Sequence, residues 1–381
     1  MRRRPHLIFA LSLFVAFCAA AFGRAPATSP AAPATPAGGD WTQFRGDSAS
    51  TGRAASPLGS DLRPVWKFKA QAGIAGTAAI AGGTVYVGSL DGNLYALRLA
   101  DGGLLFKVRA EGPIKAAPAV RDGVVYFGDG KGVFHAVDAA TGQPRWSFTT
   151  GAEIVSSATF APGCVLFGSY DQSLYCLAPK DGAKRWSYET DGYVNATPAV
   201  SGDAVLIAGC DGNLRRLRAK DGAPRWTRSL KGYLGASPAV LGNRVIVGTF
   251  ENQVVAVELG SGRIAWRYEN SERKFPYYSS AALRDDLIVV GGRDKLVHAL
   301  APRTGKELWT FAARGAVDSS PVLIGDRIVA ASRGGDIFIL DNRTGKPVWQ
   351  FEAGAPIEAS PAVAQGRLVL GTLDGTLYCF A

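Results

Sequence analysis

The stretch "AVDAATGQPRW" occupies residues 136–146 and returns as "ILDNRTGKPVW" at 339–349. Each copy is a short apolar run, a polar turn with glycine, and a second run reaching tryptophan. Aligning the chain on that last residue gives Trp66, Phe106, Trp146, Trp186, Trp226, Trp266, Trp309 and Trp349. The spacing is forty residues at every step except Trp266 to Trp309, where it is forty-three. Seven of the eight tryptophans fall on this register, and only Trp41 lies outside it. A fixed period of this length marks a repeat architecture.

Working outward from the tryptophan, each unit has the same parts in the same order. A small-residue segment comes first, as in "AAPAV" (116–120), "ATPAV" (196–200) and "SSPVL" (319–323). An apolar run ending near glycine follows, as in "VVYFGD" (124–129) and "RVIVGT" (244–249). A turn and a further strand come next, as in "DGNLYAL" (91–97) and "DGTLYCF" (374–380). Asp-Gly suits a tight hairpin because both residues tolerate positive φ. Proline at the head of the first strand is tolerated where a strand begins. The unit is therefore four short antiparallel strands, A to D, and the expected fold is an all-β, eight-bladed β-propeller over residues 64–381. Only a D-like strand, 64–69, precedes the first full unit, and the chain stops after a C strand at 376–380. Pairing these two segments closes the ring and removes an open edge.

The chain ends are different in kind. Arg2, Arg3 and Arg4 precede the apolar run "LIFALSLFVAFCAAAFG", so residues 1–21 read as an export signal cleaved near 21–25. Cys18 follows Phe17 and not a small residue, which favours a soluble exported protein over a lipoprotein or a retained anchor. Residues 25–40 form a Pro/Ala-rich linker, and 41–63 a strap before the first blade. The formal net charge is +10, and removal of the three leader arginines leaves about +7. Exported and mildly basic, the chain is expected to meet an acidic protein or, peripherally, an anionic membrane, and not nucleic acid.

The motif "AVDAATGQPRW" with its echo resembles the repeat of the pyrroloquinoline quinone (PQQ) type of β-propeller, and the resemblance runs over about 64–380. The segment "DWTQFRGDSASTGR" (40–53) resembles the lead-in strap of exported members. That family implies two very different activities. One is the quinoprotein dehydrogenases. The other is the non-enzymatic propellers, such as the BamB-type outer-membrane protein assembly factor, a periplasmic scaffold of similar length. The fold alone does not choose between them.

For the enzyme, the resemblance implies a disulfide of adjacent cysteines over the quinone, a tryptophan floor, a calcium ion and a catalytic aspartate. The chain has no Cys-Cys pair, and its blade tryptophans are committed elsewhere. Asp318, Asn195 and Glu358 are the residues one would try as a calcium set, but no spacing among them demands it. Cofactors are therefore expected to be absent, with PQQ and calcium only under the enzyme alternative. His135 and His298 share a strand-C slot and read as structural. Cys164, Cys176, Cys210 and Cys379 read as four unpaired thiols, because hairpin register sets Cys164 opposite residue 179 and away from Cys176.

The leading expectation is a monomeric, non-catalytic interaction scaffold in the envelope, with a ligand-binding or sensory propeller as a third reading. In this strand order the D–A and B–C loops share one face. Just before strand A, the position nearest the axis reads Ala75, Lys115, Val155, Asn195, Gly235, Tyr278, Asp318 and Glu358, so Lys115, Asn195, Asp318 and Glu358 give the funnel its polarity. On the same face Tyr170, Tyr193, Tyr233, Phe250, Arg293 and Arg333 join Arg273, Lys274, Phe275, Tyr277 and Tyr278 of the long connection. Exposed aromatics with arginine are the composition of a protein-binding patch.

Overall fold

A computed structural model describes Met1, residues 39–59 and residues 61–381. The export-signal reading and nearly all of the linker lie outside these described residues. The described part contains 32 strands in eight four-stranded antiparallel sheets. Blade one is typical: strands Ala79–Ala81, Thr84–Gly88, Asn93–Arg98 and Leu104–Arg109 pair in chain order. The eighth sheet is built from both ends, as the strand count requires: Pro64–Lys69 pairs with Thr376–Phe380, with Phe68 opposite Leu377. No helix among the described residues is long and apolar enough to cross a membrane.

Burial explains the strand order. Strand B, such as Val124–Gly128, is buried along its whole length. Such a continuous apolar run belongs to a strand covered on both faces. Strand D, such as Pro144–Thr149, alternates exposed and half-buried, as an outer edge strand should. Nine residues join strand D to the next strand A in every case but one, and residues 270–281 make that connection twelve. The three additional residues therefore fall wholly in a loop and leave every strand intact.

Two sets of contacts join neighbouring blades. The outer set uses the repeat tryptophan. Trp226 Nε1–H donates to the Leu259 carbonyl at 2.9 Å, and its ring lies on Gly262 in the C–D turn of the next blade. Trp146, Trp186, Trp266 and Trp309 do the same to Pro179, Ala219, Pro302 and Asn342. Trp66 reaches Leu99, and Trp349 reaches Leu62 in the strap. Phe106 keeps the ring contact, on Gly142, without the donor. Gly262 has φ 69°, and a side chain there would strike the indole, so glycine is required on two counts. These aromatics bridge the blade rims; Trp66 and Trp266 are buried there and the other six are partly buried.

The inner set is a ring around the axis. The Ala117 N–H donates to Ser157 Oγ at 2.9 Å, Ser157 N–H to Thr197 Oγ1 at 3.1 Å, and Thr197 N–H to Ser237 Oγ at 2.9 Å. Ser237 continues to Ser280, Ser280 to Ser320, Ser320 to Ser360 and Ser360 to Thr77. Only the step from Thr77 to Ala117 lacks a hydroxyl acceptor, because alanine carries none.

The strap 39–56 crosses the far end of the axis from strand to strand. Trp41 exchanges backbone hydrogen bonds with Ile80 (2.9 and 2.8 Å). Val120, Val200, Val240, Leu283 and Leu323 then donate to Thr42, Ser48, Ala49, Thr51 and Gly52. All of these acceptors meet strand A beside its A–B turn, so the strap lies on the side opposite the long loops.

The cysteine expectation needs correction. Cys164 and Cys176 form a disulfide with Cα atoms 5.4 Å apart, and the free cysteines among the described residues are Cys210 and Cys379. Cys176 stands opposite Leu166, so Cys164 is its diagonal neighbour on the same face of the blade. Reading only directly opposed residues missed a diagonal that lies well inside bridging range. Cys379 is buried, which pushes its thiol up to about 12, whereas Cys210 is half-buried and raised less. A thiolate is the reactive form. In the folded protein a thiol reagent at mildly alkaline pH should label Cys210 slowly and leave Cys379 untouched. Peptide mapping without reductant should recover 164 and 176 as one linked species. Recovery of both as free thiols would refute the bridge.

The rim contact has its own expectation. Trp226→Ala removes a partly buried ring and one hydrogen bond and should cost about 2–3 kcal/mol. Trp226→Phe keeps the ring on Gly262 and should recover most of that, as measured by urea unfolding.

Candidate functional site

The D–A loops and B–C turns are tied to one another. Tyr170, Phe250, Arg293 and Arg333 each begin a B–C turn, and their N–H groups donate to Glu153, Tyr233, Pro276 and Ala316 in the adjoining D–A loops. The two loop sets therefore form one face. The eight positions just before strand A all border a single axial cavity of about 440 Å³, together with the ring hydroxyls and Phe44 of the strap. Funnel wall, ring and strap stack in that order along the axis.

Charge at the funnel mouth is paired. Arg293 binds Asp318 through two hydrogen bonds, at 2.9 and 3.2 Å. Arg333 pairs with Glu358 and lies 3.5 Å from Asp318. Lys115 meets Glu153 at 2.7 Å. Asn195 Oδ1 is 3.6 Å from the Cys210 sulfur. The donor set tried for calcium, Asp318, Asn195 and Glu358, does not fit that ion, since both carboxylates are already held by guanidinium groups. Among the described residues no cluster of His, Cys, Asp or Glu has metal-holding geometry. The disulfide found lies in a blade core with Leu166, Leu174 and Val205, and not over the funnel.

The aromatic residues form two packed groups on this face. Tyr170 and Tyr193 stack at 4.6 Å and 9°. Tyr233 meets Phe250 edge-on at 6.4 Å, and Phe250 meets Tyr278 at 6.0 Å. The Arg293 guanidinium lies 4.8 Å from the centre of the Tyr278 ring. Gly235 makes room, because a side chain there would strike both Phe250 and Tyr278. Tyr193 is 49% exposed, Tyr233 62%, Phe275 49% and Tyr278 38%. Arg273 and Lys274 are exposed beside them; Arg273 donates to the Asp294 carbonyl at 3.0 Å.

Tyr277 does not belong to this surface. It is 1% exposed and packs against Tyr268 and His298, with ring centres at 6.2 and 5.2 Å. The register explains this. Position 278 is the funnel position, so 277 falls in the preceding slot, where Ile114, Ile154, Val194 and Val317 are also buried against the end of strand B. Burial pushes the Tyr277 hydroxyl far above its ordinary range.

One pattern escaped the sequence reading. The strand-C slot of His135 and His298 is not merely tolerant. In four blades it holds a ring that binds an aspartate of its own B–C turn: Tyr95 to Asp91 (2.7 Å), His135 to Asp129 (2.9 Å), Tyr175 to Asp171 (2.7 Å) and His298 to Asp294 (2.9 Å). Arg215 pairs with Asp211 in the same way at 2.5 Å. The signal was an aspartate recurring a few residues before a polar or aromatic residue. It marks turns that are braced from within the blade.

The model of one family, described as outer membrane protein assembly factor BamB, matches residues 60–192, 170–296 and 293–381. Among solved structures, BamB from Moraxella catarrhalis is 22% identical, with TM-score 0.73 over 84% of this chain and 99% of that one. Quinohemoprotein alcohol dehydrogenase from Comamonas testosteroni is 11% identical, with TM-score 0.77 over 90% of this chain and 80% of that one. A europium-containing methanol dehydrogenase is 13% identical, with TM-score 0.76 over 90% and 98%. At these identities the structures share the fold and nothing narrower. A search of curated proteins gave no match.

The two faces of the long loop separate in stability. Tyr277→Ala should cost about 3–4 kcal/mol, as a buried aromatic does, and Phe275→Ala less than about 0.5 kcal/mol, as an exposed residue does. Equal melting of the two variants would contradict the burial of Tyr277.

Proposed function

Because the chain belongs to the family of the outer membrane protein assembly factor BamB, we propose that it is a non-catalytic, envelope-located propeller that holds a protein partner on its D–A/B–C face. The observation that carries this is the exposed band of Tyr193, Tyr233, Phe275 and Tyr278 with basic neighbours on one face. Rigid aromatics held by mutual packing offer large contact area at little cost in side-chain freedom. The funnel arginines pair with acids, and exposed basic residues of the long connection, Arg273 and Lys274 (the latter 4.0 Å from Glu269), stand beside the aromatics, which suits a partner with an apolar anchor and acidic flanks. Residues 1–21 fit delivery to the envelope.

A photo-crosslinking residue placed at 233 or 275 tests the face directly. In envelope extract both positions should capture the same partner. Position 202, in an A–B turn on the opposite side, should not. Arg273→Glu with Lys274→Glu should reduce capture at least about tenfold while leaving the melting curve in place. Equal capture from position 202, or capture unchanged by charge reversal, would overturn the docking face. Reconstitution with PQQ and calcium separates the enzyme alternative: dye-linked alcohol oxidation would overturn the non-catalytic reading.

A further inference from the structure

The outer rim carries a pattern of its own, on the side away from the docking face. Strand D begins just after the C–D turn, and the C–D and A–B turns share the strap side. The residue before each repeat aromatic therefore stands on the rim toward that side. Blades six, seven, eight and one are consecutive in the ring, and they place Leu308, Val348, Val65 and Leu105 there, between 45% and 54% exposed. Blades two, three and four place Arg145, Arg185 and Arg225 in the same slot, and blade five Ala265. Leu104, beside Leu105, is exposed as well. Single exposed aliphatics are ordinary on a protein surface, but here one slot gathers them on one arc.

Each of the four has a lysine two positions away: Lys306 before Leu308, Lys346 before Val348, Lys67 after Val65 and Lys107 after Leu105. All four lysines are exposed, and none forms an ion pair among the described residues. The carboxylates of the same strands and turns are engaged by other groups. Asp61 pairs with Arg63, Asp101 with Arg98 and Glu352 with Arg314. Glu307 accepts from the Tyr268 hydroxyl, and Asp341 from the Thr344 hydroxyl. Lysine on an edge strand also discourages strand pairing. That accounts for the lysines but not for the aliphatics beside them. A second copy docking through this arc would set lysine against lysine, and protein-binding patches favour aromatics and arginine over lysine. Short aliphatics interleaved with unpaired lysines match a layered target, anionic at its surface and apolar beneath.

We propose that the strap-side rim of blades six, seven, eight and one rests on an anionic phospholipid bilayer, its lysines at the headgroups and its aliphatics in the interfacial layer. This edge and the docking face lie on opposite sides, so a partner can be held while the rim is on lipid, and either site can exist without the other.

Co-sedimentation with vesicles of phosphatidylethanolamine and phosphatidylglycerol tests this, on protein purified as an exporting cell processes it. Binding should rise with the phosphatidylglycerol fraction and fall with added salt. Lys67→Glu with Lys107→Glu and Lys346→Glu should weaken partition at least about tenfold while leaving the melting curve in place. Should that variant lose its fold, Leu105→Ser with Val348→Ser replaces it and should weaken partition several-fold. An environment-sensitive fluorescent residue at 105 or 348 should shift to the blue on these vesicles, and one at 185 should not. Absence of vesicle binding overturns the lipid edge, as does undiminished partition of the folded variants or an equal shift at 185. A blue shift at 348 without lipid that grows with protein concentration gives the arc to a second copy and overturns it too.

Discussion

The ring of backbone N–H groups donating to serine and threonine hydroxyls of the next blade is the contact on which the rest of this molecule depends. A propeller blade cannot satisfy the inner end of strand A by itself, because no strand lies beyond it. An unpaired buried N–H is expensive. Placing a hydroxyl at the same position of the neighbouring blade answers that need seven times in succession, through Ser157, Thr197, Ser237, Ser280, Ser320, Ser360 and Thr77. The same bonds fix the radius of the axial cavity and the height of the funnel residues two positions earlier. The tryptophan contacts do at the rim what the ring does at the axis, and each crosses from one blade to the next. Inner and outer fastenings together tie neighbouring sheets at two radii, so the site is positioned between two circles of contacts.

Much of the fold was legible because it repeats. Strand count, blade count and closure of 64–69 on 376–380 follow from one period and one phase, and an error in a single unit is corrected by the other seven. The funnel positions were legible for the same reason: register relative to strand A carries from blade to blade. What register does not carry is direct. Arg293 to Asp318 and Arg333 to Glu358 are contacts between residues twenty-five apart, fixed by loop shape and side-chain reach. The Cys164–Cys176 bridge is a diagonal, which strand pairing in one dimension does not reveal. Tyr277 was misread for a different reason: tyrosine suits a surface or a core, and its neighbours Lys274, Phe275 and Tyr278 suggested a surface. The slot decided against that suggestion, as slots in repeat proteins do.

The hydroxyl ring shows the limit of pattern from the other side. Small residues near an axis relieve crowding, and the segments "ATPAV", "ASPAV" and "SSPVL" meet that demand. Crowding accounts for their size but not for their chemistry. Alanine at Ala117 meets the steric demand as well as serine does, and it breaks the ring at that step. Serine or threonine at the other seven places therefore answers a hydrogen-bond demand.

The same economy runs through the long connection at 270–281. Its extra residues do not lengthen a floppy loop. Arg273 fastens its start to the Asp294 carbonyl, and Tyr277 fastens its end in the apolar slot over His298. His298 is itself braced by Asp294, so both fastenings meet in one B–C turn. Between them Phe275 and Lys274 project outward, and Tyr278 turns to Phe250 and Arg293 at the funnel edge. Pinned at both ends, the loop presents its exposed aromatics with little freedom left to lose. A surface of that kind loses less entropy on contact than a mobile one would, and the energy of burying Phe275 and Tyr278 then goes more fully into affinity. The departure from the forty-residue period is thus best understood as rigidity added at the one place where the face is tallest in aromatic content.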